Sequence, residues 1–302
     1  MTGVLSSEMA ARYRHDGVLF PLPAIGAAEG GALLAKLEAL ERREGGKISR
    51  RTNHKPHLLL TWLAELVRDA RILDRVESVI GPDILCWATD FFTKNPGDHK
   101  RVTWHQDSTY WGLSETDIVT AWVALTPSTP ESGCMRVVPG SHLRDQLPHH
   151  DTFGENNLLS RGQEVQVEVD ERQAVDVVLA PGEMSLHHVR LIHGSEPNNS
   201  GHRRIGFAIR YLPTRIRQLS GMPDSATLVR GRDLFGNFAP EPAPESDFHP
   251  DAVAFHAAIY EAQMNILYAG AAARPDRAAS PGGYPKVRLT QKCPLGTVRG
   301  QA

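Results

Sequence analysis

The chain has 302 residues, of which 41% are hydrophobic and 23% are charged, and its formal net charge is −2. This composition is ordinary for a globular protein and supplies enough apolar residues for a sizeable core. Because the basic residues are not gathered into one block, we expect no nucleic-acid partner. No window approaches the ~20 apolar residues of a membrane span, and the N-terminus shows no secretory signal, so no membrane partner is expected either.

Cysteine usage indicates a reducing compartment. The three cysteines, Cys86, Cys134 and Cys293, are odd in number and form no CxxC pair. This argues against a disulfide framework or a cysteine zinc site. We therefore expect three reduced thiols in a cytoplasmic protein.

The N-terminal part of the chain is predicted to be helical up to Gly81-Pro82, which would stop a helix. Its leucines and valines recur at spacings of three and four, the period of an amphipathic helix. Three helices are predicted, over residues 6–16, 29–44 and 58–79.

The pattern changes at Asp83, where short β-rich runs bounded by turn residues begin. Many short strands without helices between them indicate an antiparallel sandwich or barrel. The polar stretch 141–172 is long for a loop in a compact domain, and we interpret it as a lid or binding segment. A helix is predicted over 251–269, and the last 30 residues are predicted as loop. Strands are predicted over 84–93, 101–106, 118–125, 134–138, 174–179, 184–192 and 205–212.

The sharpest local feature is Trp104-His105-Gln106-Asp107. Residues i and i+2 of a strand point to the same face, so an imidazole and a carboxylate can aim at one point. A second histidine, His193, follows a later apolar run. Two imidazoles and one carboxylate form the facial triad of non-haem Fe(II) oxygenases. An isolated His-x-Asp is common and is usually only an exposed polar pair, so this interpretation depends on the β-rich context.

Two arginines, Arg203 and Arg204, follow His193 and precede a predicted strand. The planar fork of an arginine suits bidentate capture of a carboxylate. Strand alternation turns one of the two towards the cavity and the other away. Without the triad, two solvated arginines at a turn would be the default interpretation.

Together these motifs resemble the phytanoyl-CoA dioxygenase family, a branch of the 2-oxoglutarate oxygenases. The resemblance spans roughly residues 10–215 and implies a mainly β fold with flanking helices, built on a double-stranded β-helix (jelly-roll) core. It also implies Fe(II), 2-oxoglutarate and O2. The motifs that carry it are WHQD (104–107), DIVTAW (117–122), ESGCMRVVPGSH (131–142), PGEMSLHH (181–188) and HGSEPNNSGHRRIGFAIRYL (193–212).

The resemblance assigns roles to individual residues. His105, Asp107 and His193 match the family's iron ligands. Arg204 matches the arginine that grips the distal carboxylate of 2-oxoglutarate, and the remaining cosubstrate contacts fall on Ser195 and Trp122. The implied reaction couples decarboxylation of 2-oxoglutarate, which gives succinate and CO2, to hydroxylation of a C–H bond.

We interpret residues 1–302 as a single dioxygenase domain, with a helical part (1–82), a jelly-roll core (83–215) and a C-terminal extension (216–302). The absence of a phosphate-binding glycine loop or a basic patch disfavours a CoA thioester. The expected substrate is a small metabolite or natural-product intermediate. The sequence leaves the oligomeric state open, with a homodimer as one option.

Three other functions account for part of these motifs. Halogenases that resemble this family replace the triad carboxylate with a small residue, and Asp107 argues against that activity. A catalytically silent jelly-roll binding module would not need the intact ligands together with Arg204. A zinc hydrolase could use the same triad, but it would leave Arg204 unexplained.

Several further side chains were considered. His187 is predicted either to line the pocket or to be a hydrogen-bonded core histidine, whereas His188 should face away. Tyr110 and Trp111 are predicted to form either a substrate wall or ordinary core packing. In addition, His149 and His150 are expected to be exposed, and His142 is expected to be structural.

Overall fold

The computed structural model of the protein describes residues 4–154 and 156–272. The loop predicted for the last 30 residues, the end of the C-terminal extension and Cys293 lie outside these ranges. In the described part, the α-helices are α1 (Ser7–Asp16), α2 (Ala27–Arg43), α3 (Arg50–Asn53), α4 (Thr61–Leu66), α5 (Ala70–Ile80) and α6 (Pro250–Leu267). Within those ranges, no helix is long and apolar enough to cross a membrane.

The single helix predicted over 58–79 is wrong, because the chain turns between α4 and α5. Asp69 has an extended backbone there, and its carboxylate accepts a hydrogen bond from the backbone N–H of Arg71 at 2.8 Å. Such an N-cap starts a new helix, and its backbone conformation cannot continue an old one. The helical spacing of apolar residues continues through α4 and α5, because both helices bury one face on the same sheet.

The strands of the described residues are β1 (Val18–Pro23), β2 (Ile84–Lys94), β3 (Val102–His105), β4 (Val119–Ala124), β5 (Met135–Val137), β6 (His149–Asp151), β7 (Gln163–Val165), β8 (Val175–Val177), β9 (Glu183–His188), β10 (His193–Ser195), β11 (Arg204–Pro213), β12 (Ser225–Arg230) and β13 (Ala239–Pro240). A large sheet has the order β1-β9-β4-β11-β2-β12-β13, and a small sheet has the order β3-β10-β5-β8. Two facing sheets of mostly antiparallel strands confirm the predicted jelly-roll core with N-terminal helices.

The predicted strand positions need four corrections. Strand β12, in the predicted C-terminal extension, was not predicted and pairs with β2 in the large sheet. The helical N-terminal part contains β1, which adds an edge strand to the large sheet. The strand predicted over 184–192 ends at His188, and after a turn His193 begins β10 in the other sheet. The predicted irregular segment 141–172 contains the paired strands β6 and β7. Each error arose because short strands are defined by their partners, which a local pattern does not contain.

The large sheet has one face against the helices and one face towards the small sheet. Val123 and Phe207 belong to the cluster that packs beneath the helices, whereas Trp122 and Ala208 belong to the cluster between the sheets. Alternation along β4 and β11 therefore separates a structural face from a cavity face. Residues on the cavity face are placed to form a binding site.

A buried ion pair attaches the C-terminal segment to the core. Lys55 Nζ lies 2.6 Å from Glu241 Oε1, and both side chains are fully buried. The carboxylate also accepts hydrogen bonds from the hydroxyls of Ser225 (2.6 Å) and Thr227 (2.7 Å). A buried pair whose remaining oxygens are satisfied tolerates little displacement. This network fixes the chain shortly before α6, which forms one wall of the cavity described below.

Candidate functional site

The two candidate histidine ligands face each other across a strand pair. His105 ends β3, and His193 opens β10 directly opposite it in the antiparallel register. Asp107 follows two residues later, in a short 3-10 turn. The ligand atoms of these three side chains all lie within 4.8 Å of one another. Strand pairing therefore brings together residues that are far apart in the sequence.

Hydrogen bonds fix the orientation of both imidazoles. His105 Nδ1 donates to the carbonyl oxygen of Thr103, and His193 Nδ1 donates to that of Leu191, both at 2.9 Å. Because carbonyl oxygens only accept, each Nδ1 carries a proton, which leaves Nε2 as the ring nitrogen that faces the cluster. Metal-binding histidines are usually held in this way by a backbone carbonyl.

The charges of the cluster match the same use. Burial, then the neighbouring His105, lowers the pKa of His193 to about 3, so its imidazole is neutral at physiological pH. Burial alone would raise the pKa of Asp107, but its contacts with His105 and His193 hold it below its usual range. Asp107 Oδ1 lies 3.2 Å from His105 Nε2 and 4.0 Å from His193 Nε2. Two imidazoles and one carboxylate, converging on a cavity, fit a divalent metal ion such as Fe(II).

Arg204 occupies the other end of this cavity. Its buried guanidinium donates from Nη2 to the carbonyl oxygen of Gly133 at 2.8 Å and to Ser195 Oγ at 3.4 Å, and its Cζ lies 5.3 Å from the Trp122 ring. Its Nε has no hydrogen-bond partner among the described residues. Arg203, by contrast, turns outward and pairs with Glu41. The donors of Arg204 are thus directed at the cavity.

Lys94 is a second buried cation at this end, and the sequence analysis missed it. It lies directly opposite Arg204 in the β2–β11 register. Its Nζ donates to Ser195 Oγ at 2.6 Å and to the Gly133 carbonyl at 3.3 Å. Burial, then the charge of Arg204, lowers the pKa of Lys94 to about 6. The only signal in the sequence is a lysine that ends an apolar strand, which does not reveal its partner.

The ion pairs of the described residues include none for Lys94 or Arg204. Arg204 is a buried cation without a carboxylate, and Lys94 beside it becomes a second one when it is protonated. Such charges are unfavourable by themselves and attract an anion. The cavity that Arg204 borders has a volume of about 40 Å³. All six predicted site residues line it, namely His105, Asp107, Trp122, His193, Ser195 and Arg204.

The wall of this cavity has two further contributors. Trp122 lies flat over Gly206, where an added Cβ would come within 1.9 Å of the ring. His187 is buried and lines the cavity, and its ring centroid is 5.1 Å from that of His193. His187 therefore takes the pocket-lining position of the two options considered. His188 points away and packs against His142, with 5.0 Å between ring centroids.

A larger cavity of about 240 Å³ adjoins the first one. The two cavities meet at four shared residues, which are Phe92, Asp107, Leu159 and Arg210. Tyr110 and Trp111 line the larger cavity, as one of the two options for them expected. Helix α6 supplies part of its wall. A molecule bound there would reach the metal cluster from the side of Asp107.

The expectation that His149 is exposed is wrong. Its side chain is half-buried, and its Nε2 accepts a hydrogen bond at 2.9 Å from the backbone N–H of Gln106, the residue between two candidate ligands. The segment after residue 141 folds back over the His-x-Asp turn instead of extending into solvent. His150, the next residue, is exposed as expected.

A profile of the family described as phytanoyl-CoA dioxygenase matches residues 13–206. The chain belongs to this family. One similar protein is a probable alpha-ketoglutarate-dependent hypophosphite dioxygenase of Stutzerimonas stutzeri. It is 30% identical to this chain, and the alignment covers 67% of this chain and 71% of the relative.

Solved structures agree with the family. The apo structure of the non-heme monooxygenase ThoJ has a TM-score of 0.77 and 37% identity, covering 86% of this chain and 97% of its own. A structure of CytC3 with Fe(II) and alpha-ketoglutarate has a TM-score of 0.60 and 27% identity, covering 78% and 93%. This phytanoyl-CoA dioxygenase family member is an Fe(II)- and 2-oxoglutarate-dependent dioxygenase.

Removal of either histidine of the triad should abolish iron binding. We expect one Fe(II) per chain after anaerobic reconstitution, and a large loss in His105→Ala and in His193→Ala, because two ligands on one face do not retain the ion. Bound iron is measured by elemental analysis after gel filtration. His202→Ala, which removes an exposed histidine, is the control. Full iron content in both triad variants would rule out this ligand set.

Proposed function

We propose that this dioxygenase hydroxylates a C–H bond of a small molecule at a metal held by His105, Asp107 and His193. The observation that carries the proposal is the position of Asp107. It lies at the junction of a small cavity that ends at the unpaired cation Arg204 and a larger cavity whose wall includes several aromatic side chains. The first cavity has the charge required for 2-oxoglutarate, and the second has the size required for a substrate.

The cosubstrate end works by charge and geometry. The guanidinium of Arg204 and the ammonium of Lys94 both reach Ser195 Oγ, so a carboxylate placed there would receive donors from all three side chains. Charge-assisted hydrogen bonds to a desolvated carboxylate are strong and directional. Trp122 closes one side of this site. These residues would hold the distal carboxylate and direct the keto-acid end towards the triad.

Bound Fe(II) supplies the oxidative chemistry, in which 2-oxoglutarate gives succinate and CO2 and the substrate gains one oxygen atom. The protein orients the two organic molecules and keeps water away. Leu158, Leu159 and Ser160, from the predicted lid, line the larger cavity opposite the sheet. An enclosed cavity of this kind protects a reactive centre from side reactions.

The alternatives considered from the sequence fit these positions less well. A halogenase needs room for a halide where Asp107 places a carboxylate. A zinc hydrolase would leave the pair of buried cations without a ligand. A silent binding module has no use for two imidazoles whose Nε2 atoms converge on one carboxylate. Hydroxylation uses the carboxylate of Asp107, the buried basic side chains and the two converging imidazoles.

The proposal extends to the whole chain. We propose one dioxygenase domain over residues 1–302, because α6 packs against the cavity and its preceding segment is held by the Lys55–Glu241 pair. The buried free thiols of Cys86 and Cys134 support a cytoplasmic location. The lack of a nucleic-acid partner and the option of a homodimer remain predictions.

Arg204→Ala should weaken 2-oxoglutarate binding by at least about tenfold, since losing one partner of a buried charge pair costs on the order of 2–5 kcal/mol. Arg204→Lys should recover only part of this loss, because an ammonium cannot reproduce the planar fork. Affinity is measured by calorimetry on the Ni(II)-loaded protein. Arg203→Ala is the matched control and should have a mild effect, because that side chain pairs with Glu41. Equal effects of Arg203→Ala and Arg204→Ala would contradict the assignment.

Lys94 should make 2-oxoglutarate binding dependent on pH. The free protein has a Lys94 pKa lowered to about 6 by burial and by Arg204, and a bound carboxylate would raise it. Binding above that pH therefore takes up a proton, and affinity falls as pH rises. Calorimetry in buffers of different ionisation enthalpy measures the uptake. Lys94→Met should bind weakly and without proton uptake, and wild-type binding that takes up no proton would refute this role.

The lid hypothesis for 141–172 depends on Arg161, which holds the segment against α6. Its guanidinium pairs with Asp151 and donates to the carbonyl oxygen of Leu267 at 3.0 Å. Arg161→Gln should therefore increase hydrogen exchange both in 156–165 and at the C-terminal end of α6. Arg172→Gln removes an exposed arginine of the same segment and is the control. Substrate together with 2-oxoglutarate should have the opposite effect on the wild type, and unchanged exchange in both experiments would exclude a lid.

A further inference from the structure

The paired strands β2 and β11 carry charged residues at both ends of the active-site cavities. On β11, alternation turns Arg204, Gly206, Ala208 and Arg210 to the same face. At the first end, Arg204 is opposite Lys94, and the two positive charges suit an anion. At the other end, Arg210 forms an ion pair with Asp90, which lies two residues along β2 from the direct strand partner of Arg210. The second end therefore offers one positive and one negative charge.

The Asp90–Arg210 pair belongs to the larger cavity. Both residues line it, and Arg210 also borders the junction with Asp107. The exposed fraction of the side chain is 27% for Asp90 and 10% for Arg210. Since both residues are cavity-lining, this remaining exposure opens to the space where a substrate would bind. A partly buried ion pair contributes little net stability, so a role in recognition is the better reason for its presence.

The remainder of the wall offers few other groups for orienting a polar ligand. Gln263 is already engaged, because its Oε1 is 2.7 Å from His54 Nε2 and its Nε2 donates to Asp224 at 2.8 Å. Gln163 Oε1, in contrast, is buried and has no partner among the described residues. Beside the candidate metal ligand Asp107, the wall thus presents the guanidinium of Arg210 as a buried donor and the side chains of Asp90 and Gln163 as acceptors. Arg50, also on the wall, is exposed and donates to Tyr268 and Ser160.

The non-polar part of the wall combines aliphatic side chains with a pair of tryptophans. Trp87 and Trp111 lie against each other with 5.0 Å between ring centroids, and Arg210 lies 5.6 Å from the Trp111 ring. Such rings favour an apolar or aromatic group next to the charged pair. The cavity of about 240 Å³ limits the ligand to a small molecule.

We propose that the Asp90–Arg210 pair binds a free α-amino acid with an apolar or aromatic side chain as the substrate. Arg210 pairs with the carboxylate, Asp90 pairs with the ammonium group, and Gln163 accepts a further hydrogen bond. The side chain packs against Trp87 and Trp111. Without a ligand the two residues neutralise each other, and with a zwitterion each acquires a partner of opposite charge. This assignment rests on the proposed function, because that function makes the larger cavity the substrate site.

The test uses matched ligands on the Ni(II)-loaded protein with 2-oxoglutarate, where binding occurs without turnover. The probes are L-leucine, L-methionine and L-phenylalanine, each compared with the analogue that lacks the amino group and the analogue that lacks the carboxylate. Quenching of tryptophan fluorescence reports binding, because Trp87 and Trp111 line the cavity. At least one amino acid should bind about tenfold or more tightly than both of its analogues. Binding of no amino acid, or equal binding of an analogue, overturns the proposal.

Variants assign the two charges. Asp90→Asn should remove the preference for the amino group, and Arg210→Gln should remove the preference for the carboxylate. Arg215→Gln, which breaks an ion pair at the surface, is the control and should keep both preferences. If either site variant does not fold, the comparison of ligands on the wild type still decides the question. Retention of both preferences in folded Asp90→Asn and Arg210→Gln also overturns the proposal.

The same samples separate this inference from the proposed function. 2-Oxoglutarate affinity is measured on the wild type before any amino acid is added. If 2-oxoglutarate fails to bind, the proposed function fails and the substrate assignment fails with it. If 2-oxoglutarate binds and no amino acid is preferred over its analogues, only the substrate assignment is wrong.

Discussion

The antiparallel pairing of β2 with β11 is the constraint on which the active site depends. It fixes Arg204 opposite Lys94 at one end and brings Arg210 to Asp90 at the other. A slip of β11 by one residue would turn Arg204 and Arg210 to the helix-covered face and separate them from Lys94 and Asp90. Phe207 and Ile209, on that opposite face, are buried in the main core, so the register is held by hydrophobic packing as well as by hydrogen bonds.

The small sheet positions the metal-ligand cluster, and backbone groups orient its side chains. The carbonyl groups two residues before His105 and His193 set the same tautomer in both rings. The Gln106 N–H is held by His149, which fixes the turn that carries Asp107. The ligands of the cluster are thus oriented by local backbone geometry, and the large sheet contributes the charges that surround the organic molecules. This division allows the substrate cavity to vary without disturbing the metal site.

The C-terminal helix shows how such variation is built. The family profile ends at residue 206, yet α6 supplies part of the wall of the larger cavity. Arg161 joins the predicted lid to the last turn of that helix, and the buried Lys55–Glu241 pair holds the segment before it. Substrate recognition therefore combines a shared sheet with elements that lie outside the family motif.

The sequence by itself determined the β-rich core, the His-x-Asp motif and the distal His193, because strand alternation and ligand chemistry are local properties. Alternation also required one of Arg203 and Arg204 to face inward, and the family resemblance selected Arg204. Tertiary structure alone decided the edge position of β1 and the partnership of Lys94 with Arg204. It also brought Asp90 and Arg210, 120 positions apart in the chain, into one ion pair. These features could not be predicted from local patterns, because a strand partner or a buried charge pair is defined by residues that only folding brings into contact.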